Sequence, residues 1–376
     1  MNKSKVAIVK CENYQIENVQ VAVDTALTLL GGVEALLPVP KKTLLKPNFL
    51  TAEPPEKCAT THPAVFEAVA RAVMPYCSGL RYGDSPAFTS MENVAHKSGV
   101  GAAATKLTVL PADFSHGQTI PFKEGRQQKQ FYLADGVLQA EQLISISKLK
   151  THAFTRLTGA LKNQFGCIPG PSKAEFHALL PELEDFSQMI IDLNACVNPA
   201  LYIMDGIWAM EGNGPKNGKP KFVGLILAST DGVALDATVC RLLGVSPQAT
   251  PVLRLGEETG IGTWREENIQ IVGCNLEEVK ISDFDVQKLP PPLWQYLSRH
   301  FRRPFIPRPM LNKNLCNGCG VCYEICPVKP KAINKNSQGK PQFDYNRCIR
   351  CFCCQETCPQ GALAVHTPII RRVIKI

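Results

Sequence analysis

Short apolar runs recur through the first three-quarters of the chain, and most of them end in a polar turn. KVAIVKC at 5–11, TLLKPNF at 43–49, LRYGDSP at 80–86, QLISISKLK at 142–150, ALYIMDGI at 200–207 and FVGLILAS at 222–229 are rich in Val, Ile and Leu. Runs this short, bounded by turn residues, read as buried strands. LTVLPAD at 107–113 and IQIVG at 269–273 read the same way. Between them the spacing changes to the helical period. Val19, Val23, Ala26, Leu27 and Leu30 predict a helix within 15–37. THPAVFEAVARAVMPY at 61–76 predicts another, with Thr61 as N-cap and Pro63 in its first turn. DGVALDATVCRLLG at 231–244 predicts a third, opened by Asp231 and stopped at Gly244. Strands alternating with helices predict an α/β domain over 1–287, with a largely parallel sheet and flanking helices.

The alternation breaks at 288–310, which begins KLPPPLWQYLSRHF. Consecutive prolines cannot sit inside a helix or a central strand. This stretch therefore predicts a semi-rigid linker that holds the following module at a defined place.

That module, 311–367, is set by its cysteines. CNGCGVCYEICP places Cys316, Cys319, Cys322 and Cys326 at C-x₂-C-x₂-C-x₃-C-P, and Cys348, Cys351, Cys354 and Cys358 repeat the spacing. Cys353 falls out of register and is surplus. Three thiolates of each run converge on one cluster, and the fourth reaches across to the other. Cys316, Cys319, Cys322 and Cys358 are thus expected on one [4Fe–4S] cluster, and Cys348, Cys351, Cys354 and Cys326 on a second. Zinc sites use four ligands in paired knuckles, and here there are eight in two matched runs. A disulfide scaffold would need an oxidising compartment. The region resembles the two-[4Fe–4S] ferredoxin family, which implies a small α+β ferredoxin-like two-cluster module and a redox protein as electron donor or acceptor. The remaining scattered cysteines read as small buried hydrophobes, with Cys167 set apart by its polar, glycine-rich surroundings.

Charge alters this picture little. The formal net charge is +8, and two clusters with their thiolates, at about −2 each, would remove half of the excess. Basic residues concentrate only at Arg299, Arg302, Arg303 and Arg308, interleaved with Phe301 and Phe305. Aromatics packed between domains explain that stretch better than a binding patch, and no nucleic-acid partner is expected. No apolar stretch approaches a transmembrane segment, and the one near the N-terminus is too short for a leader. A cytoplasmic protein is expected, where thiols stay reduced. GNGPKNG fails the dinucleotide fingerprint, and no P-loop is present.

Candidate chemistry gathers after the strand-like runs, where open α/β sheets bind ligands. Lys46 and Asn48 close the second run, and Asp84 and Ser85 the third. KLKTHAFTRLTGALKNQFG supplies Lys148, Lys150, His152, Lys162 and Asn163, a cationic loop suited to carboxylate or phosphate. DGIWAMEGNGP supplies Asp205, Glu211 and Asn213. Lys150 and Lys162 are expected to meet a substrate's charge. His152, whose ordinary pKa is nearest neutrality, is expected to move a proton. Glu211 is expected to orient His152 or hold a metal. Lys46, Asn48, Asp84, Ser85, Lys148, Asn163, Asp205 and Asn213 complete the expected substrate site.

LLKPNF, TTHP, YGDSP, SKLKTHAFTRLTGALKNQFG, MDGIWAMEGNGP and ASTDGVALDATVCRLLG together resemble a prokaryotic family known as domain of unknown function 362, whose members are often described as iron–sulfur cluster-binding proteins. More distantly, the HP and KTH elements look like those of the lactate racemase superfamily, from which no nickel cofactor is carried over. Two functions follow. One is an oxidoreductase passing electrons from two [4Fe–4S] clusters to a small anionic substrate. The other is a non-catalytic electron-transfer or cluster-handling protein whose α/β domain binds a partner or metabolite.

Overall fold

A computed structural model describes residues 3–86, 89–170, 172–286 and 306–367. Its main sheet has nine strands among the described residues. They are β1 (Ser4–Lys10), β2 (Lys41–Pro47), β3 (Cys77–Tyr82), β4 (Leu110–Pro111), β7 (Gln142–His152), β8 (Arg156–Thr158), β9 (Leu201–Glu211), β10 (Lys219–Ser229) and β11 (Ile269–Gly273). A separate hairpin holds β5 (Gly117–Pro121) and β6 (Gln130–Ala134). The order is β11-β1-β10-β9-β7-β2-β3-β4, with β8 folded back on β7. Pairing is parallel from β9 through β7, β2 and β3 to β4, and between β1 and β11. β10 runs antiparallel to both β1 and β9. The expected largely parallel sheet with flanking helices is therefore present.

Three local expectations change. The helix within 15–37 ends at Leu29, because Gly31 and Gly32 take positive φ, and only a single turn resumes at Val33–Leu36. LTVLPAD forms only the two-residue edge strand β4, where a proline removes no needed ladder bond. His62, not Thr61, caps the helix Pro63–Val73, accepting from the Ala64 amide. Thr61 Oγ1 instead accepts from the Asn48 amide and donates to the Ile146 carbonyl, tying the end of β2 to β7. Asp231 caps the helix Gly232–Leu242 as expected.

β7 positions the polar residues. It lies between β2 and β9 with both faces covered, so ten of its eleven residues are buried. Side chains alternate along a strand, which sends Lys148, Lys150 and His152 toward one face. A register shift against β9 puts Lys148 opposite Asp205 and Lys150 opposite Met210, and so spreads these side chains over different partners.

The C-terminal module pairs Arg308–Leu311 with Leu363–His366, and Ile333–Lys335 with Pro341–Phe343. Two short helices, Val321–Glu324 and Cys353–Thr357, each lie within a cysteine run. The first strand begins inside the stretch read as linker. Most of that stretch, with Arg299, Arg302 and Arg303, lies outside the described residues. Arg308 is within them, with its guanidinium 4.5 Å from the centre of the Tyr345 ring.

The module is seated on the α/β domain. Phe352 is buried within the large core. Gln355 is wholly buried, and its Nε2 donates to the backbone carbonyls of Asn213 and Gly214 and to Asn213 Oδ1. Asn213 Nδ2 donates to the Leu363 carbonyl, and Asn217 Nδ2 to the Gln355 carbonyl.

Candidate functional site at the seam between domains

Three polar groups line the carboxyl edge of β2, β3, β7 and β9. The first joins Lys46, Asp84, Asn48, Asn163 and Lys150. Lys46 Nζ is 2.7 Å from Asp84 Oδ1, with both side chains buried. Asp84 also accepts from the amides of Phe49 and Ser85. Its carboxylate presses so closely on Gly166 that a Cβ there would lie 1.8 Å from Oδ1. Lys150 is fully buried, and its Nζ donates to Asn48 Oδ1 at 2.5 Å and the Ala59 carbonyl at 2.6 Å. Both acceptors are neutral. Burial, helped by the charge of Lys162, therefore holds the Lys150 pKa well below the lysine range. Asn163 Nδ2 donates to the Lys46 carbonyl and to Ser145 Oγ. Ser85 Oγ accepts from the Gly170 amide, and its carbonyl accepts from Lys173.

The second group is Lys148, Asp205, Tyr14 and His62. Lys148 Nζ is 2.8 Å from Asp205 Oδ2 and donates to Tyr14 Oη at 2.8 Å, while Tyr14 donates to Asp205 Oδ1. The His62 ring stacks on Tyr14 with 3.5 Å between centroids, and its amide donates to Asp205. Each charge here already has a partner.

The third group lies at the seam. His152 Nδ1 accepts from the amides of Phe154 and Thr155. The ring proton is thereby assigned to Nε2, which lies 3.1 Å from Glu356 Oε1. Glu356 belongs to the cluster module, on the helix Cys353–Thr357. Burial, with the charge of Lys162, lowers the His152 pKa to about 4. Burial alone would raise Glu356, but His152, Lys162 and His177 outweigh it and keep the carboxyl ionised. Lys162 is half-buried, with its pKa lowered mainly by burial. His177 stacks on Phe186, its pKa pushed down to about 3 by burial.

This geometry alters two expectations. Neutral His152 has its basic nitrogen occupied by two backbone donors, so it is not poised to exchange a proton near neutral pH. Glu211 does not orient it: the Glu211 carboxylate accepts from the Asp285 amide, and the carboxylate facing His152 is Glu356. Asn213 holds the cluster module through Leu363 and Gln355. The motifs drew no attention to Glu356, Lys173 or His177. Glu356 stands in a run whose cysteines dominate the pattern. Lys173 and His177 lie on the short helix Ser172–Leu179, which no periodic run announces. Lys173 donates to the carbonyls of Ser85 and Ile168, and burial lowers its pKa to about 7.

The cysteines group by fold rather than by run. Cys326, Cys348, Cys351 and Cys354 line one cavity together, and Cys353 is absent from its wall. Around Cys322 the neighbouring thiols are Cys358, Cys319 and Cys316; burial and these neighbours raise its thiol pKa to about 11. Soft thiols gathered four at a time are the donor set an iron–sulfur cluster requires, so the residues fit that group.

Residues 43–241 match the family described as Domain of unknown function (DUF362), and residues 308–359 match the 4Fe-4S dicluster domain. A thylakoid-associated protein of Synechocystis sp. is 33% identical over 257 residues, covering 68% of this chain and 79% of that protein. Among solved structures, the lactate racemase apoprotein from Thermoanaerobacterium thermosaccharolyticum aligns with a TM-score of 0.40 at 12% identity, over 62% of this chain. A protein from Thermotoga maritima aligns at 0.35 and 12%, over 67% of this chain. The chain spans 56% and 59% of the lengths of those two structures, and likeness at this level bears on no chemistry. By both the family match and the Synechocystis relative, the chain belongs to the DUF362 family, with an iron–sulfur domain at its C-terminal side.

Proposed function

We propose that this protein is an iron–sulfur oxidoreductase in which two [4Fe–4S] clusters serve a small anionic compound held by the α/β domain. One cluster takes Cys316, Cys319, Cys322 and Cys358, and the other Cys348, Cys351, Cys354 and Cys326. When bound, each cluster stores one electron, so the pair matches a two-electron, two-proton reduction of an acid carrying a carbonyl or a carbon–carbon double bond. A low-potential redox protein is the external donor. Cluster ligation by thiolates calls for reduced cysteines, which favours a reducing, cytoplasmic setting.

The observation that supports this reading most is Glu356. A residue flanked by cluster cysteines reaches the KTH end of β7 and lies 3.1 Å from His152. The α/β residues then divide the work. Among the described residues, Asp84 and Glu356 are the carboxylates that act on Lys46, Lys150, Lys162 and Lys173 across the first and third groups. Burial disfavours the charged forms of Lys150, Lys162 and Lys173, and an anion bound beside them would restore their charge. Lys162 pairs with the substrate's charge. His152 Nε2 faces Glu356 Oε1 at 3.1 Å and marks where the two domains meet.

The carrier reading has its own support: the Lys148–Asp205–Tyr14 group is closed on itself, as a purely structural network would be. Native mass spectrometry of anaerobically purified protein separates the two readings. A small acid retained by wild type and lost in Lys162→Gln is the expected result. Clusters without any dissociable acid, in protein of full iron content, would favour the carrier.

A further inference from the structure

Behind β8 lies a partly open cavity walled by Leu157, Ile190, Cys240, Val252 and Leu253, with Lys162 at its lining. Its walls come from β8, the helix Leu183–Val197 and the helices Gly232–Leu242 and Pro251–Thr259. Burial raises the Cys240 thiol to about 12, so it is a neutral apolar wall and no nucleophile.

Two charged groups line this cavity, and they differ in availability. The Asp236 carboxylate is occupied: its oxygens accept from the amides of Ala160 and Leu161 at 2.7 and 3.0 Å. Gly159 allows this approach, since a Cβ there would lie 2.2 Å from Asp236 Oδ1. Lys162 Nζ makes no hydrogen bond or ion pair among the described residues, and its nearest assigned contact is the Phe165 ring at 5.6 Å. Thr155, Ser187 and Thr250 add hydroxyls to the lining; with the apolar walls and Lys162 as the available cation, the cavity suits a ligand with an anionic head and an apolar tail.

We propose that this cavity is the substrate's side-chain pocket and that the substrate is a short-chain aliphatic monocarboxylate, its carboxylate on Lys162 and its chain among Leu157, Ile190 and Val252. This deepens the oxidoreductase reading and rests on it for the word substrate. The binding claim stands apart from turnover. Inorganic oxyanions would satisfy Lys162 but gain nothing from the apolar wall. Longer chains gain about fourfold in affinity for each methylene placed there, until the small chamber is full.

The test uses oxidised, cluster-loaded protein and saturated acids that cannot be reduced, so failure of the redox reading leaves it untouched. Acetate, propionate, butyrate and hexanoate, with inorganic phosphate as control, are titrated by calorimetry. Affinity should rise about fourfold per carbon from acetate to butyrate and then level off, with phosphate weakest. Lys162→Gln should lose at least tenfold for every acid. Val252→Phe, at a partly exposed position, should fill the chamber, keep acetate binding and abolish the rise with chain length. Melting of each ligand-free variant near the wild-type temperature checks folding. Equal affinities along the series, phosphate binding as well as butyrate, or an unchanged series in Val252→Phe would overturn the proposal.

Discussion

His62 and His152 are both stripped of their ordinary acid–base role by burial, and each uses Nδ1 to accept backbone amides. For His62 this has a pH consequence. Its pKa falls to about 4, chiefly by burial, with Asp205 opposing and Lys148 assisting. Between that value and the unfolded value of about 6.5, the unfolded chain binds a proton that the folded one refuses. Stability from this group is therefore full above pH 6.5 and declines as pH falls toward 4. His62→Asn keeps a capping acceptor and removes the titration. Urea midpoints at pH 7.5 and 5.5 should drop further in wild type than in His62→Asn; equal drops would show that His62 is not the titrating group. The surplus cysteine gives a second residue-scale prediction. Cys353→Ser should keep the full iron content, whereas Cys354→Ser should lose about half of it, as a ligand of one of two clusters would. Iron assay and electron paramagnetic resonance of the reduced protein decide, and iron loss in Cys353→Ser would refute the ligand assignment.

At the scale of elements, the seam depends on the short helix Cys353–Thr357. Its Gln355 serves three acceptors on the Asn213–Gly214 turn. Gln355→Ala would strand those buried acceptors, at about 1–3 kcal/mol for each group left unsatisfied. Limited proteolysis should then release the module faster, with cluster content unchanged in the intact protein; unaltered cleavage would mean that Phe352 and the Asn213 and Asn217 bonds hold the seam without the Gln355 side chain. Elements of this kind mark the boundary of what the sequence made legible. Apolar runs announced the long strands β1, β2, β7, β9 and β10, because burial on two faces leaves a pattern. The strand-end positions of Lys46, Asp84 and Lys150 followed from them. Glu356 and His177 were not legible, because their role comes from which surfaces meet, and no local period records that. The role of Asn213 was misread for the same reason: it looked like a ligand-binding turn and is a docking turn.

For the whole molecule, the question is whether the two domains are separable. The α/β core runs through Phe284, and Asp285 still bonds to Glu211 and Gly212. A chain ending at Leu289 should therefore fold, with a cooperative thermal transition that does not depend on iron. In the full chain, iron chelation should unfold the module first, since small metal-binding modules depend on their metal for stability. One transition lost together with the clusters would show that the α/β domain cannot stand alone.

The central claim is that electrons held in the module reach a compound bound at the seam. It is tested most directly by stopped-flow reoxidation. Cluster-loaded protein, reduced and freed of reductant, is mixed anaerobically with short-chain carboxylates bearing a carbonyl or a carbon–carbon double bond, while cluster absorbance is followed. At least one of these acids should reoxidise the protein, with one molecule consumed per two electrons. Lys162→Gln, at equal iron content, should slow that reaction by about 10²-fold or more. Clusters that stay reduced in the presence of every acid, or reoxidation at the same rate in Lys162→Gln, would contradict the account.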